Sequence, residues 1–173
     1  MEISHRLPPT ARRHRLAVVV FEDNLETDTG RWLLRGPWAR QETPGHGFAY
    51  HDSPDGPYAP DANVRLVSQP FRLDVVEPVL QYSLAHETEP GADQVTVEIA
   101  ENHPHRHDWK VLEAADGVSD WRQGEVSLAG FEGKEVQIRF RLTSDGQNQY
   151  AGLWVDDVVV GGSAPLEVPR GEA

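Results

Sequence analysis

Short stretches of alternating apolar and polar residues, repeated along the chain, are the feature that most constrains its fold. Gln94 to Ala100 places Val95, Val97 and Ile99 on one face, and residues 136 to 143 repeat the pattern. This period of two is typical of a half-buried antiparallel strand. Since no long stretch shows a helical period, the sequence predicts an all-β fold, an antiparallel β-sandwich of the jelly-roll type. The other predicted strands are residues 16–21, 32–34, 48–51, 64–67, 80–84, 109–112, 121–128 and 153–160.

The last predicted strand, Leu153 to Val160, carries an aspartate pair within an otherwise apolar run. Alternation places Asp157 on one face and Asp156 on the other, and both faces are rich in valine. At least one carboxylate is therefore expected near the interior. A buried carboxylate must be protonated, hydrogen-bonded, paired with a cation or bound to a metal, and calcium is a natural candidate.

Composition narrows the class of protein. The chain has 173 residues, enough for one domain with a sizeable core, and a formal net charge of -12. This acidity argues against nucleic-acid binding through phosphate neutralisation. The absence of cysteine excludes disulfides, zinc–thiolate sites and thiol nucleophiles.

The chain is expected to divide into three parts. Residues 1–15 form a basic, flexible N-terminal segment, residues 16–162 the sandwich domain, and residues 163–173 a disordered tail or linker. The apolar run at residues 16–21 is too short for a membrane span or a signal peptide, so membrane insertion is not expected. If the protein is secreted, its export signal lies outside this chain, and an intracellular protein remains the alternative.

Five motifs occur in a recognisable order. They are Phe21-Glu22-Asp23, a tryptophan-rich hairpin, the loop at residues 52–58, the strand at residues 134–145, and Gly152 to Val158. Together they resemble the MAM-like jelly-roll domains attached to secreted bacterial metalloproteases of the immune inhibitor A type, and more loosely the wider MAM and galactose-binding-like families. The resemblance covers about four fifths of the chain and implies a non-catalytic, extracellular or cell-surface accessory module that carries structural calcium.

The resemblance also implies which residues bind that calcium. The ligands would be Glu22, Asp52 and Asp157, with Asp23 and Asp156 as the nearest substitutes. If the first and last strands lie together, their acids concentrate negative charge at one end of the sandwich, which a cation would offset. The alternative is that these acids face water or pair with Arg139 or Arg141.

A histidine-rich segment departs from the family pattern. His103, His105 and His107 lie at alternate positions between two predicted strands and are candidate ligands for a secondary transition-metal site. Because Pro104 and polar neighbours describe a turn, a surface hairpin tip is the preferred interpretation.

The sequence has no His-Glu-x-x-His pair, no Gly-x-Ser-x-Gly and no Walker loop. We therefore expect no enzyme activity. A carbohydrate-binding module that uses exposed tryptophans is the main alternative to a purely structural module, and a metal-free protein-interaction domain is the third. The candidate aromatic residues are Trp32, Trp38, Trp109 and Trp121, although core packing explains them equally well. Trp154 is expected to be buried, and Trp32 and Trp38 to pair across a hairpin. An adjoining catalytic domain, a protein or a carbohydrate surface is the expected partner.

Overall fold

The computed structural model describes residues 16–167, so the prediction for residues 1–15 and that for residues 168–173 lie outside the described residues. Within the described range all regular structure is β, and every strand pair is antiparallel. The strands are β1 (Val18–Asp23), β2 (Trp32–Arg35), β3 (Ala39–Thr43), β4 (Gly47–His51), β5 (Asn63–Ser68), β6 (Phe71–Arg72), β7 (Val75–Val76), β8 (Val79–Glu87), β9 (Gln94–Glu101), β10 (Lys110–Ala115), β11 (Val118–Ser127), β12 (Glu135–Thr143), β13 (Gly152–Gly162) and β14 (Ala164–Pro165).

Two six-stranded sheets and one two-stranded sheet, β14-β7, make up the described part of the domain. Sheet A has the order β11-β8-β13-β4-β3, with β1 also paired to β13, and sheet B has the order β10-β9-β12-β5-β2, with β6 also paired to β12. The core lies between the two six-stranded sheets and is formed by the inward-facing alternate residues of each strand. In β12 these fully buried residues are Val136, Ile138, Phe140 and Leu142. The predicted antiparallel β-sandwich is confirmed.

The predicted tryptophan hairpin is wrong. β2 pairs with β5 in sheet B, whereas β3 pairs with β4 in sheet A, so the turn at residues 36–38 carries the chain from one sheet to the other. Trp32 and Trp38 are 8% and 5% exposed and belong to the core between the sheets. Their spacing around a turn looked like a hairpin because local sequence does not reveal which sheet a strand joins.

Strand β13 lies in the middle of sheet A. It pairs with β8 along one edge, and with β4 and then β1 along the other. The register with β8 shifts between Asp156 and Val159, which marks a β-bulge at the aspartate pair. β11 carries a matching irregularity against β8, between Ser119 and Arg122.

The segment predicted as a C-terminal tail begins with ordered structure. Ala164 and Pro165 pair with Val76 and Val75, and the Ser163 amide donates to the Val76 carbonyl at 2.9 Å. Among the described residues, no helix has the length and apolar character needed to cross a membrane.

Candidate functional site

The aspartate bulge of β13 lies where two other strands meet. Asp23, the last residue of β1, is opposite Val158, and Gly47, the first residue of β4, begins the strand that pairs with the preceding part of β13. Asp157 has a φ of 50°, a left-handed conformation that is uncommon for non-glycine residues and that asparagine and aspartate adopt more readily than most. The bulge therefore takes Asp157 out of the regular alternation, while Asp156 still pairs in register with Ser83.

Asp156 is the buried member of the pair. Its side chain lies on the outer side of sheet A yet is only 1% exposed, and its Oδ1 accepts from the Asp157 amide at 2.8 Å. Burial, followed by the charge of Asp157, raises the pKa of Asp156 to about 8, with smaller contributions from Glu26 and Asp23. The site thus disfavours the ionised carboxylate unless a positive charge is nearby.

His46 completes a group that could hold a metal ion. It lies in the turn between β3 and β4, and its Nδ1 is 3.3 Å from Asp156 Oδ2. One ligand atom from each of His46, Asp156 and Asp157 lies within 4.8 Å of the others. His46 is not among the residues predicted from the sequence, since only the docking of the β3–β4 turn against β13 brings it there.

The structure does not bring the other predicted calcium ligands to this group. Asp23 turns inward, where its carboxylate accepts from the Leu25 amide at 2.9 Å, the Thr29 hydroxyl at 2.7 Å and the Trp32 indole N–H at 2.9 Å. Glu22, its neighbour on the strand, is exposed. Neither Arg139 nor Arg141 neutralises the pair: they bind Glu98 and Asn63, in sheet B.

Asp52 lies further away along β13. Its Oδ1 accepts from the Leu153 amide at 2.7 Å, and three residues of extended strand, about 10 Å, separate Leu153 from Asp156. The Asp52 side chain is fully buried, and its Oδ2 has no hydrogen-bond partner. Burial raises its pKa to about 6, opposed by hydrogen bonds from the Leu153 amide and the Ser53 side chain.

The three candidate histidines do not converge. The rings of His103 and His105 are 6.4 Å apart, and His107 Nε2 is instead 2.8 Å from Gln137 Oε1. His107 and Trp109 contact the outer side of sheet B, where the Trp109 ring stacks 4.2 Å from the Arg139 guanidinium. Arg139 in turn pairs with the buried Glu98.

A second acidic group was not expected from the sequence. Glu89, Asp93 and Asp145 place carboxylate oxygens within 4.8 Å of one another. Asp93 is buried, accepting from the Tyr58 hydroxyl and from the Asp145 amide at 2.9 Å, and Glu89 Oε1 accepts from Asn148 at 2.8 Å. These contacts tie the loop at residues 52–58 to two others.

An open groove crosses the outer side of sheet A. Its floor contains Trp154 and Ala85, one wall is the β3–β4 turn, the other is the beginning of β11, and its volume is about 390 Å³. Trp121 and Trp154, both half-buried, line it. Trp154 was expected in the core and is instead on this outer surface, because it pairs opposite Ala85 and His51 rather than facing sheet B. We call this feature the tryptophan groove. Its lining residues are Thr43, Pro44, Ala85, Glu87, Val118, Ser119, Asp120, Trp121 and Trp154.

Comparison with curated proteins finds a relative of part of this chain, while no family model matches. Bacillopeptidase F of Bacillus subtilis (strain 168) is 27% identical over 152 residues, which is 81% of this chain but only 10% of that protein. The chain therefore spans about a tenth of the length of the peptidase that it matches.

Two solved structures share the fold over their whole length. The K3 cleaved adhesin domain of Lys-gingipain from Porphyromonas gingivalis W83 superposes with a TM-score of 0.57 and 16% identity, over 84% of this chain and 98% of that domain. The CBM22-1 xylan-binding domain of Xyn10C from Paenibacillus barcinonensis gives a TM-score of 0.53 and 10% identity, over 89% and 99%. At these identities the likeness establishes the jelly-roll fold alone.

Proposed function

We propose that this chain is a non-catalytic, MAM-like accessory module of a larger extracellular protein associated with a peptidase. The observation that carries the proposal is the match to Bacillopeptidase F, which takes in four fifths of this chain and a tenth of the peptidase. A match that covers most of one chain and a small part of a longer protein is typical of one module within a multi-domain protein. The whole-length likeness to an adhesin domain supports a role in attachment or substrate presentation.

Calcium is the proposed structural cofactor, held at the aspartate bulge. Asp156 and Asp157 would supply the carboxylate oxygens, and backbone carbonyls of the surrounding loops could complete the set. The support is electrostatic: Asp156 is buried beside a second carboxylate, with Asp23 and Glu26 close enough to raise its pKa further. A divalent cation would offset this repulsion, and oxygen donors are what calcium prefers.

Thermal unfolding of chelator-treated protein tests the calcium proposal. Millimolar calcium should raise Tm, and magnesium should not. If calcium is present at a hundred times its Kd, the gain is about 2.7 kcal/mol, or roughly 5–10 °C for a domain of this size. Asp157→Asn should abolish the shift while tolerating the left-handed backbone.

The matched control is Asp55→Asn, an exposed aspartate in the loop at residues 52–58, which should retain the full calcium response. An unchanged Tm in all cations would reject the calcium site, as would an equal response of the Asp157→Asn variant and the unmodified protein. Neither result would contradict the accessory role, since that role rests on the extent of the match to Bacillopeptidase F. It would be rejected if the purified chain hydrolysed protein or polysaccharide substrates.

A carbohydrate-binding module is the second candidate function, and the tryptophan groove favours it. Of the four candidate tryptophans, Trp121 lines the groove, whereas Trp32 and Trp38 are in the core and Trp109 lies on sheet B. Trp154, which the sequence analysis assigned to the interior, supplies the second ring. A metal-free protein-interaction domain remains the third candidate.

A further inference from the structure

We infer that the tryptophan groove binds a neutral oligosaccharide, with Trp121 and Trp154 as stacking surfaces. This inference deepens the carbohydrate candidate above and does not depend on calcium. The groove volume of about 390 Å³ lies within the range of small-molecule clefts, about 300–1,000 Å³. The groove is open to solvent on the outer side of the sheet, which suits an extended ligand.

The two indole rings are held in place before any ligand arrives. The Trp121 ring stacks on His46 at 4.0 Å and 16°, and the Trp154 ring stacks on His51 at 4.2 Å and 10°. Each histidine covers one face of its indole, so the rings lose little freedom on binding a ligand at the other side. Preorganisation of this kind increases affinity by lowering the entropy cost of association.

The irregularity in β11 explains how Trp121 reaches the groove. The register between β11 and β8 gains one residue between Ser119 and Arg122, and Arg122 then lies opposite the inward-facing Leu84. Without the extra residue, the side chains that follow it in β11 would point to the opposite face of the sheet. Bulges re-aim side chains in this way beside binding sites. Asp120 Oδ1 accepts from the Trp121 amide at 2.8 Å and stabilises the bulged conformation.

The groove chemistry selects the class of ligand. Indole faces pack against the C–H faces of sugar rings, while Thr43, Ser119 and Glu87 offer polar atoms for sugar hydroxyls. The charged lining residues, within the described part of the chain, are Glu87 and Asp120, and both are acidic. Uronic acids and sulfated glycans would meet like charge, so a neutral sugar is the better fit.

Isothermal titration with defined oligosaccharides tests the inference. The probes are the neutral hexamers of xylose, glucose, mannose and N-acetylglucosamine, and hexagalacturonate as the acidic counterpart. We expect at least one neutral hexamer to bind with a Kd below about 1 mM, and hexagalacturonate to bind at least about tenfold more weakly. Trp121→Ala and Trp154→Ala should each weaken binding by about tenfold or more.

Trp109→Ala is the matched control, because Trp109 is a half-buried tryptophan on the outer side of the opposite sheet. It should bind as the unmodified protein does. Glu87→Lys changes an exposed groove residue and should reduce the discrimination against hexagalacturonate, which keeps the test informative if a tryptophan variant fails to fold.

Three results would overturn the inference. The first is no binding of any neutral hexamer at millimolar concentration, and the second is binding by the Trp121→Ala and Trp154→Ala variants with the same Kd as the unmodified protein. The third is loss of binding only in Trp109→Ala. Displacement of the sugar by a basic peptide with higher affinity would assign the groove to a protein partner instead. None of these results would alter the calcium response of Tm, so failure of the groove and failure of the calcium proposal are distinguishable.

Discussion

Buried carboxylates are the residues whose charge state most affects this domain. Asp23, Asp52, Asp93 and Asp156 are each no more than 3% exposed, yet their surroundings differ. Asp23 accepts three hydrogen bonds, whereas Asp52 has one oxygen without a partner. Because desolvation disfavours the charged form unless hydrogen bonds or cations compensate, burial alone does not identify a metal ligand.

Asp52→Asn should make the domain less sensitive to pH. The folded-state pKa of Asp52, about 6, lies above the ordinary value of 3.8, so the folded protein holds this proton more tightly than the unfolded chain. The contribution of Asp52 to stability is therefore complete below about pH 4 and is lost as pH rises through 6, at a cost of roughly 3 kcal/mol. Asparagine keeps an oxygen for the Leu153 amide and does not ionise.

Urea unfolding at pH 4.5 and pH 7.5 measures the effect. The decrease in the free energy of unfolding between the two should be smaller in Asp52→Asn than in the unmodified protein. Asp156, whose pKa is raised to about 8, adds a decrease of the same sign to both proteins and so cancels in the comparison. The exposed Asp55→Asn variant should follow the unmodified protein. If the free energy of unfolding of Asp52→Asn depends on pH as strongly as that of the unmodified protein, the raised pKa of Asp52 is contradicted.

Strand β13 organises the domain at the level of elements. It pairs with three strands of sheet A, carries the aspartate bulge, supplies Trp154 to the groove and continues to the β14 pair. Its beginning at Gly152 is tightly constrained: φ is 105°, and a Cβ there would lie 2.1 Å from Asp52 Oδ1. Only glycine satisfies both the backbone conformation and the close approach of the buried carboxylate.

Gly152→Ala should destabilise the domain more than Gly130→Ala. Gly130 has a similar φ, 99°, but no atom lies within 4 Å of a Cβ built there, so alanine at 130 adds backbone strain alone, about 1–3 kcal/mol. Alanine at 152 adds the clash with Asp52, for which we expect a further 1–3 kcal/mol, roughly. Chemical denaturation of the two variants gives the difference directly. Equal losses would mean that Asp52 moves aside at little cost.

Charge acts on the molecule as a whole. The formal net charge is -12, and the charges of Asp157, Glu26 and Asp23 all disfavour ionisation of Asp156 at the bulge. Self-repulsion among like charges disfavours the compact state, and salt screens it. Mutual repulsion is thus a property of the assembled domain rather than of any one pair.

Raising sodium chloride from 10 to 300 mM in the presence of chelator should therefore stabilise the domain by about 1 kcal/mol, or about 2–4 °C in Tm. Asp157→Asn removes one of the clustered charges, so its Tm should rise less with salt. Calorimetry at several salt concentrations measures both effects. A Tm that falls with salt would show that attractive exposed pairs such as Arg106–Asp108 outweigh the repulsion.

The sequence by itself determined the all-β class, the antiparallel sandwich and the presence of a buried carboxylate in β13. Alternation in β9 and β12 is local, and so is the cost of placing Asp156 in an apolar run. Tertiary structure alone decided which sheet received β2 and β3, how the bulges aimed Asp157 and Trp121, and that His46 and His51 lie beside Asp156 and Trp154. The reason is that register and sheet assignment depend on contacts between residues distant in the chain, and a shift of one residue reverses the face of every side chain that follows.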